Sequence, residues 1–263
     1  DDLSKFIKKN KYFFFLRKKN LITKLIVKFR IYIINIISKL KITKTIVETY
    51  KDQKIYKQRG LINSLTFIEG HFENEKYVNK NFRLYIKEMQ IEKDAKKFLK
   101  SLKKNIKQKI FFIQIRLKDA IVGIDKNYPS VLPLSWFFKC KNELSKKHKN
   151  SLFIFLADDK NFLKNNLNKN EIYVKSIDPF FSFYVIKNCD GGILSPSTFA
   201  WWAAYLSQKK KFYAPKYWHG HRKRKFRPQN FETSFLSYKP VEKKEYLNQI
   251  RNENKFYNIL PFK

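Results

Sequence analysis

The chain has 263 residues, of which 43% are hydrophobic and 17% aromatic, so it can bury a sizeable core, and a disordered or fibrous chain is excluded. With only 6 Gly and 8 Pro, low-complexity and collagen-like classes fall away as well. Against 22 Asp and Glu, 57 Lys and Arg leave a net charge of +35, which points to an anionic partner: nucleic acid, an anionic membrane face or a phosphate-bearing substrate. Lys, Asn, Ile, Phe and Tyr are enriched together, as strongly AT-biased coding produces, so much of the surface Lys need carry no function.

Cys140 and Cys189 are the only cysteines, with no C-x-x-C or Cys/His spacing, which fits a reducing compartment and gives no expectation of structural zinc. Residues 1–40 intersperse Lys and Arg among short apolar runs such as Ile31–Ile37, so no signal peptide is read there. The longest uncharged run, Gly191–Gln208, contains Gly191, Gly192, Ser195, Pro196 and Ser197 and reads as strand, turn and helix, not as a membrane span. A soluble or peripheral chain is expected. Its basic N-terminal segment suits an anionic lipid surface and a packed, solvated helix equally.

In chain order, residues 1–60 are Lys-rich, with a helix expected around Leu21–Leu40. A polar helix follows over Lys93–Lys107, with Phe98 and Leu102 at i, i+4 spacing, and a domain boundary is expected near residue 100. This divides the chain into a basic, helical N-terminal region (1–100) and a second domain (101–263). Beyond it, strand-length and helix-length segments alternate: Ile110–Ile115, Leu134–His148, Leu152–Ala157, Asn161–Leu167, Glu171–Val174, Pro179–Asn188, Gly192–Leu194, Ser197–Ser207 and Phe212–Ala214. Continuous apolar strands between helices predict a parallel sheet covered on both faces, an α/β, Rossmann-like domain over roughly 105–235. In such a sheet the ligand sits outside the carboxyl ends of the strands.

At those ends, Arg116 offers a planar fork suited to phosphate oxygens and Lys118 a point charge, although a solvated basic loop reads the same way. Asp158 and Asp159 suit a metal, hydrogen bonds from a nucleotide, or the cap of the helix that follows. Ser195, Ser197 and Thr198 precede an apolar helix whose opening turn is a ready anion site, or simply an N-cap with Trp201 and Tyr205 packed as core. There is no G-x-G-x-x-G, Walker A, G-x-S-x-G or H-E-x-x-H motif, which argues against dehydrogenases, P-loop NTPases, α/β-hydrolases and zincins. His219 and His221 lack a third ligand, and no metal site is expected.

Four segments in order carry a family resemblance: Gly70–Tyr77 (G-H-F-E-N-E-K-Y); Gln114–Asp119 (Q-I-R-L-K-D); Phe153–Asp159 (F-I-F-L-A-D-D); and Cys189–Asp190 through Ser197–Leu206 (S-T-F-A-W-W-A-A-Y-L), followed by Tyr213–Trp218. Together they resemble glycosyltransferase family 11, the α-1,2-fucosyltransferases, and more distantly the α-1,6-fucosyltransferases. The resemblance implies a GT-B architecture with a C-terminal GDP-fucose-binding half. It also implies metal-independent, inverting transfer of L-fucose onto a galactose hydroxyl of a glycan. On that basis Arg116 matches the arginine that neutralises the donor pyrophosphate, Asp190 the carboxylate that reads the guanine edge, and Ser197 and Thr198 the residues that hold phosphate or sugar. Asp119 is the motif carboxylate, with Asp125 nearby as the other candidate general base.

The chain departs from the motif at Gln114 (a histidine in the family), Leu117 (a second arginine) and Lys118 (a small residue). These departures leave a non-catalytic homologue that binds GDP-sugar or glycan as an alternative. The G-G-L-G-N-Q-type loop that opens family members is missing, and residues 1–69 look like the stretch after it, so an incomplete N-terminal half is expected. A cytoplasmic or peripheral membrane placement follows by resemblance. A basic nucleic-acid-binding protein is the remaining class; no recognised motif supports it, and no nucleic-acid partner is expected.

Overall fold

The computed structural model describes residues 32, 36, 40, 43–48, 55–59, 61–69, 75, 90–117, 131–175, 178–209, 211–216 and 233–242. The segment 70–77 apart from Glu75, Lys118, Asp119, Asp125, His219, His221 and most of the expected helix at 21–40 lie outside these residues. The chain divides into two compact units, Asp1–Met89 and Gln90–Lys263.

In the first unit Tyr32 and Ile36, which fall in the expected helix, are helical, but the unit is not helical throughout. It holds a three-stranded sheet of order β2-β1-β3, built from β1 (Thr43–Glu48), β2 (Ile55–Gln58) and β3 (Ile62–Glu69). β2 runs antiparallel to β1, and β3 runs parallel to it with a register shift between Thr43 and Lys44. The runs Thr45-Ile46-Val47 and Thr66-Phe67-Ile68 are β-branched and aromatic, the composition that fits a pleated surface.

The second unit begins at α1 (Gln90–Leu102), earlier than the expected boundary. This helix belongs there because its buried side packs on a later helix of the same unit: Phe98 meets Phe181 edge-on at 5.6 Å, and Glu92 pairs with Lys187. The elements then follow as β4 (Lys109–Ile115), α2 (Leu134–Lys147), β5 (Ser151–Ala157), α3 (Lys160–Asn166), β6 (Ile172–Tyr173), α4 (Pro179–Asn188), β7 (Gly191–Ile193), α5 (Thr198–Ser207), β8 (Phe212–Pro215) and β9 (Leu236–Lys239).

All neighbouring strands of this sheet pair in parallel, in the order β6-β5-β4-β7-β8-β9. Counted by appearance within the sheet, that is the 3-2-1-4-5-6 order of doubly wound folds, and the strand order reverses between β4 and β7. Hydrophobic side chains fill both faces, as continuous apolar strands require. On one face Phe111, Ile113 and Ile115 pack with Trp136, Phe137 and Leu163 of α2 and α3. On the other, Phe112 meets Phe212, and Phe212 and Trp201 meet Phe235.

β7 passes close to its neighbours because it carries no side chains there. A Cβ on Gly192 would lie 2.5 Å from the Phe112 carbonyl oxygen and ring, and one on Gly191 would run into Lys211 and Phe111. Among the described residues no helix is long and apolar enough to cross a membrane.

Candidate active site at the strand-order reversal

Three strands deliver the candidate residues to the carboxyl edge. β4 ends at Ile115 and leads into Arg116 and Leu117; β5 ends at Ala157 and leads into Asp158 and Asp159; β7 ends at Ile193 and leads through Ser195 to α5. The reversal between β4 and β7 sends the following helices to opposite faces, the arrangement at which doubly wound folds generally form a ligand crevice. Gln114, Arg116, Ser195, Ser197 and Thr198 all belong to these two strand ends.

Hydrogen bonds beyond the last ladder pair fix this edge. The Ser195 N–H donates to both the backbone oxygen and Oε1 of Gln114, each at 3.1 Å. The Ser195 hydroxyl donates to the Gln114 carbonyl at 2.8 Å and accepts the Arg116 N–H at 3.0 Å. One residue further on, the Leu117 N–H donates to Asp158 Oδ1 at 2.9 Å. The short turn bearing Arg116 is therefore held from the β7 side by Ser195 and from the β5 side by Asp158.

The two aspartates separate in role. Asp159 caps α3, its carboxylate accepting the Phe162 N–H at 3.1 Å, as one of the sequence alternatives had it. Asp158 stays exposed and bridges two strand ends.

Ser197 is the N-cap of α5. Its hydroxyl accepts the Ala200 N–H at 3.4 Å, and its carbonyl accepts the Trp201 N–H at 2.9 Å. Helix geometry leaves the N–H groups of Thr198 and Phe199 at the opening turn without an intrahelical partner, at the positive end of the helix dipole. Trp201 is 1% exposed and stacks at 5.4 Å on the half-buried Tyr205, so these rings serve packing, and the part of the helix open to a ligand is its first turn.

Leu117, where the family motif has a second arginine, is 1% exposed and sits in the cluster with Trp136 and Phe137. A cation at this position would be buried among hydrocarbon, so the leucine is a core residue of this chain. The cation that remains at the described edge of β4 is Arg116.

Asp190 is not brought to this site. It precedes β7 and lies level with the start of β4: its carboxylate accepts the Ile110 N–H at 2.9 Å, and its own N–H donates to the Ile110 carbonyl at 2.7 Å. Lys103 and Lys209 complete its surroundings at 3.8 and 3.6 Å. From Ile110 to Arg116 the strand runs about 20 Å, so the expected guanine-reading role of Asp190 does not fit the edge where Arg116 emerges. The sequence held the warning: Asp190 comes immediately before a strand, not after one. Next to it Cys189 is fully buried, and burial pushes its thiol well above the usual range, so it is an inert core residue.

The clamp itself was the feature sequence reasoning missed. Asp158 lies far from Leu117 in sequence, and only the parallel register that pairs Ile115 with Ala157 brings the two together. Among the described residues no group of three or more His, Cys, Asp or Glu side chains could hold a metal ion.

A parallel sheet of this order, with a cation-bearing turn and a helix opening at its reversal point, defines a doubly wound α/β protein, a class that as a rule binds ligands at the carboxyl edge of the sheet. Comparison with protein families matches residues 3–236 to glycosyl transferase family 11, and the chain belongs to that family. No curated protein and no solved structure gives a significant match. Membership makes the chain a glycosyltransferase, a class that uses a nucleotide-sugar donor and a glycan acceptor.

Proposed function

We propose that this glycosyltransferase transfers L-fucose from GDP-fucose to a galactose hydroxyl of a glycan, with inversion and without a required metal. The observation that carries the reading is the junction of Arg116 and Ser195. It ties the guanidinium-bearing turn to the residue that leads into α5, so a cation and a helix N-terminus share the reversal point of the sheet.

The chemistry asks for that pairing. When the fucosyl bond breaks, negative charge develops on the β-phosphate of GDP, and preorganised charge in a site shielded from water stabilises it. In this reading Arg116 grips the diphosphate, while the N–H groups of Thr198 and Phe199, with the Thr198 hydroxyl, supply neutral donors. Lys118 adds a second charge, and Asp119 takes the proton of the acceptor hydroxyl. The unit Gln90–Lys263 is then the donor half of a GT-B enzyme. Incubation with GDP-fucose and a panel of galactosides tests the proposal: fucosylated product supports it, and absence of both product and GDP binding defeats it.

A second reading draws on one observation. Leu117 lies in the core where the family motif carries another arginine, so leaving-group stabilisation is weaker than the motif provides. GDP binding without turnover selects this reading, a donor-binding homologue that does not catalyse transfer.

A further inference from the structure

We infer that Asp158 and Ser195 are positioning residues for Arg116, acting through the backbone of residues 114–117 and not through the ligand. The inference rests on the reading of Arg116 as the cation that grips the donor diphosphate.

The turn leaving β4 has passed its last ladder pair with β5, Ile115 with Ala157, so its N–H groups need partners from elsewhere. They find them in side chains. The Arg116 N–H goes to the Ser195 hydroxyl and the Leu117 N–H to the Asp158 carboxylate, at 3.0 and 2.9 Å. Consecutive amides are thus held from opposite sides, by residues that follow two different strands. Leu117 adds a third restraint, since its side chain is sunk in the core. The Cα of Arg116 has little freedom to swing, and a guanidinium on a fixed stem loses less entropy when it closes on phosphate.

The Ser195 hydroxyl is 2% exposed as a residue and already both donates, to the Gln114 carbonyl, and accepts, from Arg116. Gln114 is committed to the same junction, because its Oε1 accepts the Ser195 N–H. The exposed Asp158 carboxylate spends one oxygen on Leu117, a bond to backbone that does not depend on any ligand.

Substitution at Asp158 separates this role from a direct one. Asp158→Ala removes the acceptor, whereas Asp158→Asn keeps a side-chain oxygen for the Leu117 N–H and removes the charge. Two readouts on the full chain are needed: amide hydrogen exchange at Arg116 and Leu117, and calorimetric titration with GDP, with UDP and CDP run in parallel. Asp158→Ala is expected to speed exchange at Leu117 and to weaken nucleotide binding about tenfold, the scale of one charge-assisted hydrogen bond. Asp158→Asn is expected to recover most of both, to within about threefold of wild type. Ser195→Ala should speed exchange at Arg116 and weaken binding in the same direction.

If Asp158→Asn binds as poorly as Asp158→Ala while Leu117 stays protected, the carboxylate acts on the ligand through its charge and the inference is overturned. It is equally overturned if Asp158→Ala exposes the Leu117 amide and leaves affinity untouched. Wild-type binding of UDP or CDP in place of GDP would sink the fucose donor while the clamp is still judged on that nucleotide. A wild type that binds none of the three overturns both.

Discussion

Glu92 of α1 and Lys187 of α4 form an ion pair in which Nζ lies 2.9 and 3.1 Å from the two carboxylate oxygens, with Asn188 Nδ2 at 3.4 Å from one of them. Glu92 is 4% exposed, so these partners stand in for water around its carboxylate. Removing it strands the partly buried Lys187 ammonium, while the Asn188 side-chain amide keeps its bond to the Tyr184 carbonyl. Glu92→Ala is expected to cost about 1–3 kcal/mol and Glu92→Gln less, measured by urea unfolding. An unchanged midpoint in Glu92→Ala would show that α1 is not anchored this way and that the second unit does not need it.

Gly192→Ala places a methyl group 2.5 Å from the Phe112 carbonyl oxygen and ring, in the middle of the sheet where neither neighbour can yield easily. A loss of about 1–3 kcal/mol or more is expected from such overpacking. Thermal unfolding of the variant measures it, and a melting temperature equal to that of wild type would contradict the close approach of β4 and β7.

Glu143 of α2 accepts hydrogen bonds from Lys147, the Tyr213 hydroxyl and Lys239. Burial pushes its carboxyl up, but the hydrogen bonds from Lys239, Lys147 and Tyr213 outweigh burial and hold it at about 2. A carboxyl whose folded value lies below its unfolded one contributes stability above the unfolded value of about 4.3, and that contribution is lost as pH falls through the folded value. Wild type should therefore lose stability between about pH 4.5 and pH 2, and Glu143→Gln should lose less across the same window. The side chain is partly exposed, so solvent screening makes the effect modest. Parallel pH profiles for the two proteins would refute the cluster.

Arg116→Ala should reduce transfer about 100- to 1000-fold, the cost of one lost donor to a developing oxyanion, roughly 2.7–4 kcal/mol. Arg116→Lys should fall between, because an ammonium keeps the charge and loses the bidentate fork. Initial rates at saturating donor measure both, and near-normal rates in the alanine variant would remove Arg116 from the mechanism.

Much of the second unit was legible because its central strands are buried on both faces and therefore print as apolar runs: Phe111, Phe112 and Ile113 in β4 and Phe153 to Leu156 in β5 are all buried. The start of α5 was legible through its cap, Ser197 before Thr198. β9 was missed because, at the sheet edge, Leu236 is its one buried residue, and Leu-Ser-Tyr-Lys carries no apolar run. In the sheet at residues 43–69, β1 and β2 each carry a lysine that interrupts a short apolar pattern, whereas β3 (Ile62–Glu69) carries none and was overlooked for want of flanking strand signals.

At the site, sequence singled out Arg116, Asp158, Asp159, Ser195, Ser197 and Thr198, and the structure brings all of these to the carboxyl ends of three strands, with Asp159 serving as a helix cap. The bonds that tie Arg116 in place were invisible, because they depend on which strands are neighbours and on the register between them. Asp190 went to the opposite edge for a reason written in the chain, namely that it stands before its strand.

Under the proposed function the nucleotide diphosphate sits where β4 and β7 diverge. Titration of the isotopically labelled chain with GDP, followed by amide chemical shifts, tests it most directly. The prediction is saturable one-to-one binding with the largest changes at Arg116, Thr198 and Phe199. Changes centred instead on Ile110, Asp190 and Lys211, at the other end of the same strands, would contradict it.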